Sequence, residues 1–200
     1  YTAGISMTSA PLGGSEIYIE GDTSTPDNVH LNMTTTCFQN SVLLPCPLNI
    51  MGFKLTFAGV SVSAVAMYAP GTIIVSYLNL AGGGTGYAGA LSASDQGALI
   101  KVGTLTISGN MSCLVAAISG MIQFYSGYTT TLTGTPAWSW VGVIASLAGV
   151  VSMVGVTFSG AATGGRYVGQ LLSLIDTGGG GASFIPGDSA GSVSSGGVYA

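Results

Sequence analysis

Ser189 has the strongest claim to chemistry in this chain. It stands in Gly187-Asp188-Ser189-Ala190-Gly191, a G-x-S-x-G spacing that can hold a serine hydroxyl clear of its own backbone as a nucleophile. Such a serine needs a histidine to take its proton and a carboxylate to fix that histidine's tautomer. The sole histidine is His30, and Asp95 follows it, so the order His30, Asp95, Ser189 is available. Other oxygen and nitrogen donors gather near the start. Glu16, Glu20, Asp22 and Asp27 are four of the seven acids, and the loop from Gly21 to Asp27 would have to fold them together to hold a hard cation.

The Gly187 to Gly191 stretch resembles the G-D-S-G-G of chymotrypsin-like serine proteases, with Ala190 where that family has its first trailing glycine. The surroundings depart from the family. His30 lies in Asn28-Val29-His30-Leu31-Asn32, and the tail after Ser189 is too short for the strands that follow the family's nucleophile. A flexible Gly/Ser loop accounts for the stretch, so no catalytic residue is assigned and the chain is not read as an enzyme. The acidic cluster has no EF-hand spacing and reads as a solvated edge, so no metal or cofactor is assigned. Gly82-Gly83-Gly84-Thr85-Gly86 lacks the lysine of a phosphate loop.

Trp138 and Trp140 fall on one strand face at period two, as a sugar-stacking platform or, more simply, as packing. Lys54 and Lys101 read as solvated strand residues, with an isopeptide crosslink as the sharper alternative. Cys37 and Cys46 flank a turn-rich segment containing Pro45, which suits a local disulfide that would leave Cys113 over, although spacing alone does not fix which two of the three pair. Asn32-Met33-Thr34 and Asn110-Met111-Ser112 satisfy the N-glycosylation pattern. N-linked glycans at Asn32 and Asn110 would supply solvation that side chains do not.

That solvation is needed because charged residues make up 5% of the 200, against about a quarter in ordinary soluble domains. Lys54, Lys101 and Arg166 are the only basic residues besides the histidine, too few for a basic patch on nucleic acid. A hydrophobic content of 48% argues against disorder. The chain opens at Tyr1 without a basic n-region or cleavable apolar segment, which reads as a mature exported product at the cell surface.

The positioning elements are strands. Tyr1, Ala3, Ile5 and Met7 alternate with polar residues up to Ala10, before Pro11, Gly13 and Gly14. This detached strand is a candidate donor to a neighbour's sheet. Alternation resumes at Ile17 and Ile19, at Val29, Leu31 and Met33, at Phe53, Leu55 and Phe57, and at Ile73, Val75 and Tyr77. Further strands are expected over Leu99 to Ser108, Leu114 to Tyr125 and Thr129 to Thr133. The uncharged run Trp138 to Phe158 reads as two buried strands joined near Ala148 and Gly149, in preference to a membrane span. Arg166 to Asp176 has helical spacing of Val168, Leu171, Leu172 and Ile175, and the Gly/Ser-rich tail from Gly178 reads as a wandering connection.

These pieces predict an all-β fold, a β-sandwich or irregular jelly roll over residues 13–200, with residues 1–12 as donor strand and hinge. The apolar leading strand, scarce charge, Ser/Thr/Gly-rich body and two sequons resemble subunits of archaeal cell-surface filaments of the thread and bundling-pilus kinds. The resemblance implies a homopolymer in which Tyr1 to Ala10 enters the sandwich of the next copy. A virion coat or surface-layer protein is the alternative, with an integral membrane component or secreted serine protease behind it.

Overall fold

The computed structural model describes residues 5–7, 16–82 and 89–200. Its strands run round three walls in turn. The first coil holds β1 (Ile5–Met7), β2 (Ile17–Glu20) and β3 (His30–Met33). The second holds β4 (Phe38–Asn40), β5 (Leu48–Met51) and β6 (Lys54–Phe57). The third holds β7 (Val65–Met67), β8 (Gly71–Ser76) and β9 (Leu78–Leu80). The fourth holds β10 (Gly89–Ala93), β11 (Ala98–Val102) and β12 (Leu105–Ile107). The fifth holds β13 (Cys113–Ile118), β14 (Met121–Phe124) and β15 (Thr129–Leu132). The sixth holds β16 (Ala137–Ser146), β17 (Val150–Ser152) and β18 (Thr157–Ser159). β19 (Thr163–Gly169) and β20 (Leu174–Asp176) begin a seventh coil, and β21 (Ser192–Val193) and β22 (Val198–Tyr199) pair on them in the next layer.

Each strand pairs in parallel with the strand one coil away on the same wall. Sheet A runs β1-β4-β7-β10-β13-β16-β19-β21, sheet B runs β2-β5-β8-β11-β14-β17-β20-β22, and sheet C runs β3-β6-β9-β12-β15-β18. The molecule is a parallel β-solenoid of about seven turns. It is not the sandwich or jelly roll that strand counting suggested. Both of those are antiparallel folds whose chain reverses at hairpins, whereas here the chain bends and continues in the same sense.

The interior is a set of stacked side chains. On sheet B, Leu48, Ile73, Ile100, Ile122, Val151 and Ile175 follow one another in register and are buried. Phe38, Val65, Leu91, Val115 and Val143 do the same on sheet A, and Leu55, Leu80, Ile107 and Leu132 on sheet C. Each such side chain contributes about 1.5–3 kcal/mol on leaving water. One wall is buried on both faces: Cys113, Ala116, Val141 and Ile144 form a second cluster on sheet A, with Trp140 and Val168 packed against it.

One further expectation changes, and another is extended. The stretch 166–176 is strand, corner, strand. Val168 packs against the outer cluster, Leu171 and Leu172 are exposed at the corner with φ of 55° and 61°, and Ile175 is buried in the main core. The run 138–158 holds the strands on either side of Ala148 and Gly149, and a third, β18, begins at its end.

The tail forms a cap. After β20 the third side of the coil is a loop in which Ile185 is buried and Phe184 meets the Phe158 ring edge-on at 5.6 Å. The Trp138 indole N–H donates to the Pro186 carbonyl at 2.8 Å. Thr177 donates from both its backbone N–H and its hydroxyl to the Ala200 carbonyl, at 2.7 and 2.6 Å.

Candidate functional site

The residues picked out for chemistry are spread along the solenoid axis. His30 is in the first coil, Asp95 lies in the corner before β11 of the fourth, and Ser189 bridges to Gly165 from the layer beyond the seventh. At about 4.8 Å per coil, His30 and Ser189 are separated by more than six rises, roughly 30 Å, so no triad forms. Asp188 serves the cap, its Oδ1 accepting the Gly164 N–H at 2.7 Å and the Ser189 hydroxyl at 3.2 Å. These bonds, with Arg166 near, hold its carboxyl below the usual range.

The acidic stretch builds a corner. Asp22 accepts from the Ser24 hydroxyl at 2.6 Å, the Thr25 N–H at 2.9 Å and the Asn28 amide at 2.7 Å, and these bonds lower its pKa to about 2. Asp27 Oδ1 accepts from Asn79 at 2.6 Å, the main reason its carboxyl is held low, while Lys54 lies 3.3 Å from Oδ2. Ser108 donates to Asn79 Oδ1 at 2.6 Å. Asp27, Lys54, Asn79 and Ser108 thus lace four successive coils across the outside of sheet C. Among the described residues, no group of three or more His, Cys, Asp or Glu side chains is placed to hold a metal ion.

The donor strand is overturned as far as it is described. Ile5, Ser6 and Met7 pair in parallel with Phe38, Gln39 and Asn40 of the same chain, so this segment completes its own sheet. Tyr1 and Ala3, and the boundary at residue 12, lie outside the described residues. Cys37, Cys46 and Cys113 are free and buried, so the disulfide drawn between Cys37 and Cys46 is not formed. Burial pushes the Cys37 thiol up to about 12 and that of Cys113 higher still.

Asn32 is exposed on the outside of β3. Asn110 is exposed too, and its Oδ1 accepts the Ala137 N–H at 2.9 Å. Trp138 and Trp140 do not share a face. A register shift between Ala137 and Val141 sends Trp138 into the main core and Trp140 against the outer cluster of sheet A. Lys54 pairs with Asp27, and the Lys101 ammonium lies 5.9 Å from the centroid of the Tyr125 ring. Among the described residues, no helix is long and apolar enough to cross a membrane.

What the fold does assemble are long lateral surfaces. Outside sheet C, Thr129 and Thr157 align in one column, and Thr106, Thr131 and Ser159 in the next. These hydroxyls supply polarity that charge would supply elsewhere. Outside sheet B, Leu99, Met121, Val150 and Leu174 align in register, each half-buried. Leu147, Leu171 and Leu172 extend that strip round the corner towards sheet A at 52%, 43% and 77% exposure. Sequence reasoning missed both surfaces, because each is assembled from residues more than twenty positions apart. Comparison with family models, curated proteins and solved structures finds no match.

Proposed function

We propose that this chain is a structural module of an extracellular assembly of the fibrous or coat type, a virion coat or surface layer, and that it is not catalytic. The observation that supports this reading is the uninterrupted stack of three parallel sheets. In a solenoid each coil is held by its neighbours, which gives a rigid prism whose walls serve as contact surfaces. Walls that carry few charges, one hydroxylated and one largely apolar, suit a protein working at high local concentration among copies of itself. N-linked sugar on the exposed Asn32 would extend the polar wall around β3.

Immunogold labelling of native material tests the proposal. Antibody against the chain is expected on particle surfaces or on the outside of cells. Label confined to the soluble cell interior would refute the assignment.

A further inference from the structure

We infer that the outer face of sheet B binds a second copy of this chain, in a two-fold contact with the solenoid axes antiparallel. The inference rests on the structural role proposed above. Four features carry it.

The first is the apolar strip itself. Leu99, Met121, Val150 and Leu174 on the wall, with Leu147, Leu171 and Leu172 at the corner, cover roughly 400 Å² over a height of about 20 Å, the scale at which exposed apolar patches are contact surfaces. The second is the backbone beneath it. Leu147, Ala148, Leu171 and Leu172 all have positive φ, from 52° to 61°. This left-handed region is strained for any residue with a Cβ. Glycine or asparagine would hold the same bend with less strain, yet leucine occupies it and is turned outward.

The third feature is charge. Beside the apolar column runs a second one, Lys101, Gln123, Ser152 and Asp176, in continuous register. It carries one cation and one anion, three coils apart. The one ion pair among the described residues is that of Lys54 with Asp27, so neither of these charges is neutralised within the chain. Asp95, in the corner of the fourth coil, lies at the rim of the strip.

The fourth feature is symmetry. A two-fold axis parallel to the strands, passing between the fifth and sixth coils, sets the fourth coil against the partner's seventh and the fifth against the partner's sixth. Leu99 then faces the partner's Leu174 and Met121 faces the partner's Val150. Lys101 faces the partner's Asp176, and the same pair recurs on the other side of the axis. An isologous contact requires this self-complementarity, and two sheets packed face to face at about 10 Å leave room for the lysine to reach. The two columns of sheet B are therefore complementary to themselves in polarity and charge, while the corner leucines of the sixth and seventh coils lie at the edge of the contact, opposite the partner's polar corners.

Sedimentation velocity on the intact chain tests the inference, with K101D, D176K and the double variant K101D/D176K. The wild type is expected to dimerise, each single variant to weaken association by at least about tenfold, and the double variant to recover it. Thermal melts followed by circular dichroism report folding, and K101Q and D176N, expected to weaken association less, replace any variant that does not fold. A wild type that stays monomeric, single variants without effect, or a double variant that does not recover would each overturn the contact. Flotation of a monomeric wild type with neutral phosphatidylcholine vesicles would overturn it in favour of a lipid surface. If immunogold still places the chain on particles or cell surfaces, the structural role survives and only this interface fails.

Discussion

Tyr167 and Tyr199 lie ring on ring, with centroids 3.9 Å apart and planes 10° apart. The Tyr199 hydroxyl donates to the Gly181 carbonyl at 2.8 Å, so this stack fastens the last strand both to the coil before it and to the glycine loop. Desolvation, then the neighbouring phenol of Tyr167, raises the Tyr199 pKa above its ordinary 10. A raised acid binds its proton more tightly folded than unfolded. The stabilisation is therefore complete below pH 10 and is lost as pH climbs past that value. Hydrogen exchange should show β20 and β22 losing protection ahead of β11 and β14 above pH 10, and Tyr199→Ala should produce the same early opening at neutral pH.

Gly149 lies where two coils approach closely, at the corner between sheets A and B. A Cβ there would stand 2.1 Å from the Ala117 carbonyl oxygen and 2.8 Å from that of Ser146. Backbone on both sides cannot yield as a flexible side chain would. Gly149→Ala is expected to cost about 3 kcal/mol, at the upper end for overpacking, measured by urea denaturation.

Thr130 is buried between the coils of sheet C, beside Leu105 and Phe158 in the ladder. Its hydroxyl has no hydrogen-bond partner among the described residues. Replacing that hydroxyl by a methyl of similar size removes an unmet polar group. Thr130→Val should therefore stabilise the fold by about 1 kcal/mol, seen as a higher midpoint in the same denaturant.

Cys37 and Cys113 are shielded from solvent, and their thiols are pushed far above the pH of most reagents. Because the thiolate is the reacting form, neither should label with a thiol-specific disulfide reagent while the chain is folded. Labelling should instead follow global unfolding as denaturant is added. Reducing agent should leave the melting temperature unchanged, since no disulfide links Cys37 to Cys46.

Period-two alternation told inside from outside at many positions. Phe53, Leu55 and Phe57 are all buried, and so are Ile73 and Val75, while Tyr77 turns out at a corner where φ is 52°. Alternation within a strand says nothing about the direction of its neighbour, and there the reading failed. A fixed repeat would have exposed the solenoid, but the offset between paired residues is 22 from Ile100 to Ile122 and 29 from Ile122 to Val151. One signal was present and unused: the chain contains no Asn-Gly or Asp-Gly pair, the commonest signature of two-residue hairpins. The helix expected from Val168, Leu171, Leu172 and Ile175 failed because that spacing also fits two strands meeting at a corner. The lateral surfaces were illegible for the same reason as the repeat, since Leu99 and Leu174 become neighbours on a wall only once the coils are counted.

The parallel pairing sets how the molecule comes into being. Each strand finds its mate within 22 to 33 residues, a relative contact order of roughly 0.12, although every pairing is parallel. During synthesis at about 5–20 residues per second, each turn can wind onto the one below within roughly one to seven seconds of its own delivery. The segment carrying Phe184, Ile185 and Tyr199 is laid down after the coils it covers, so removing it would leave the strands β19 and β20 open to whatever edge they met.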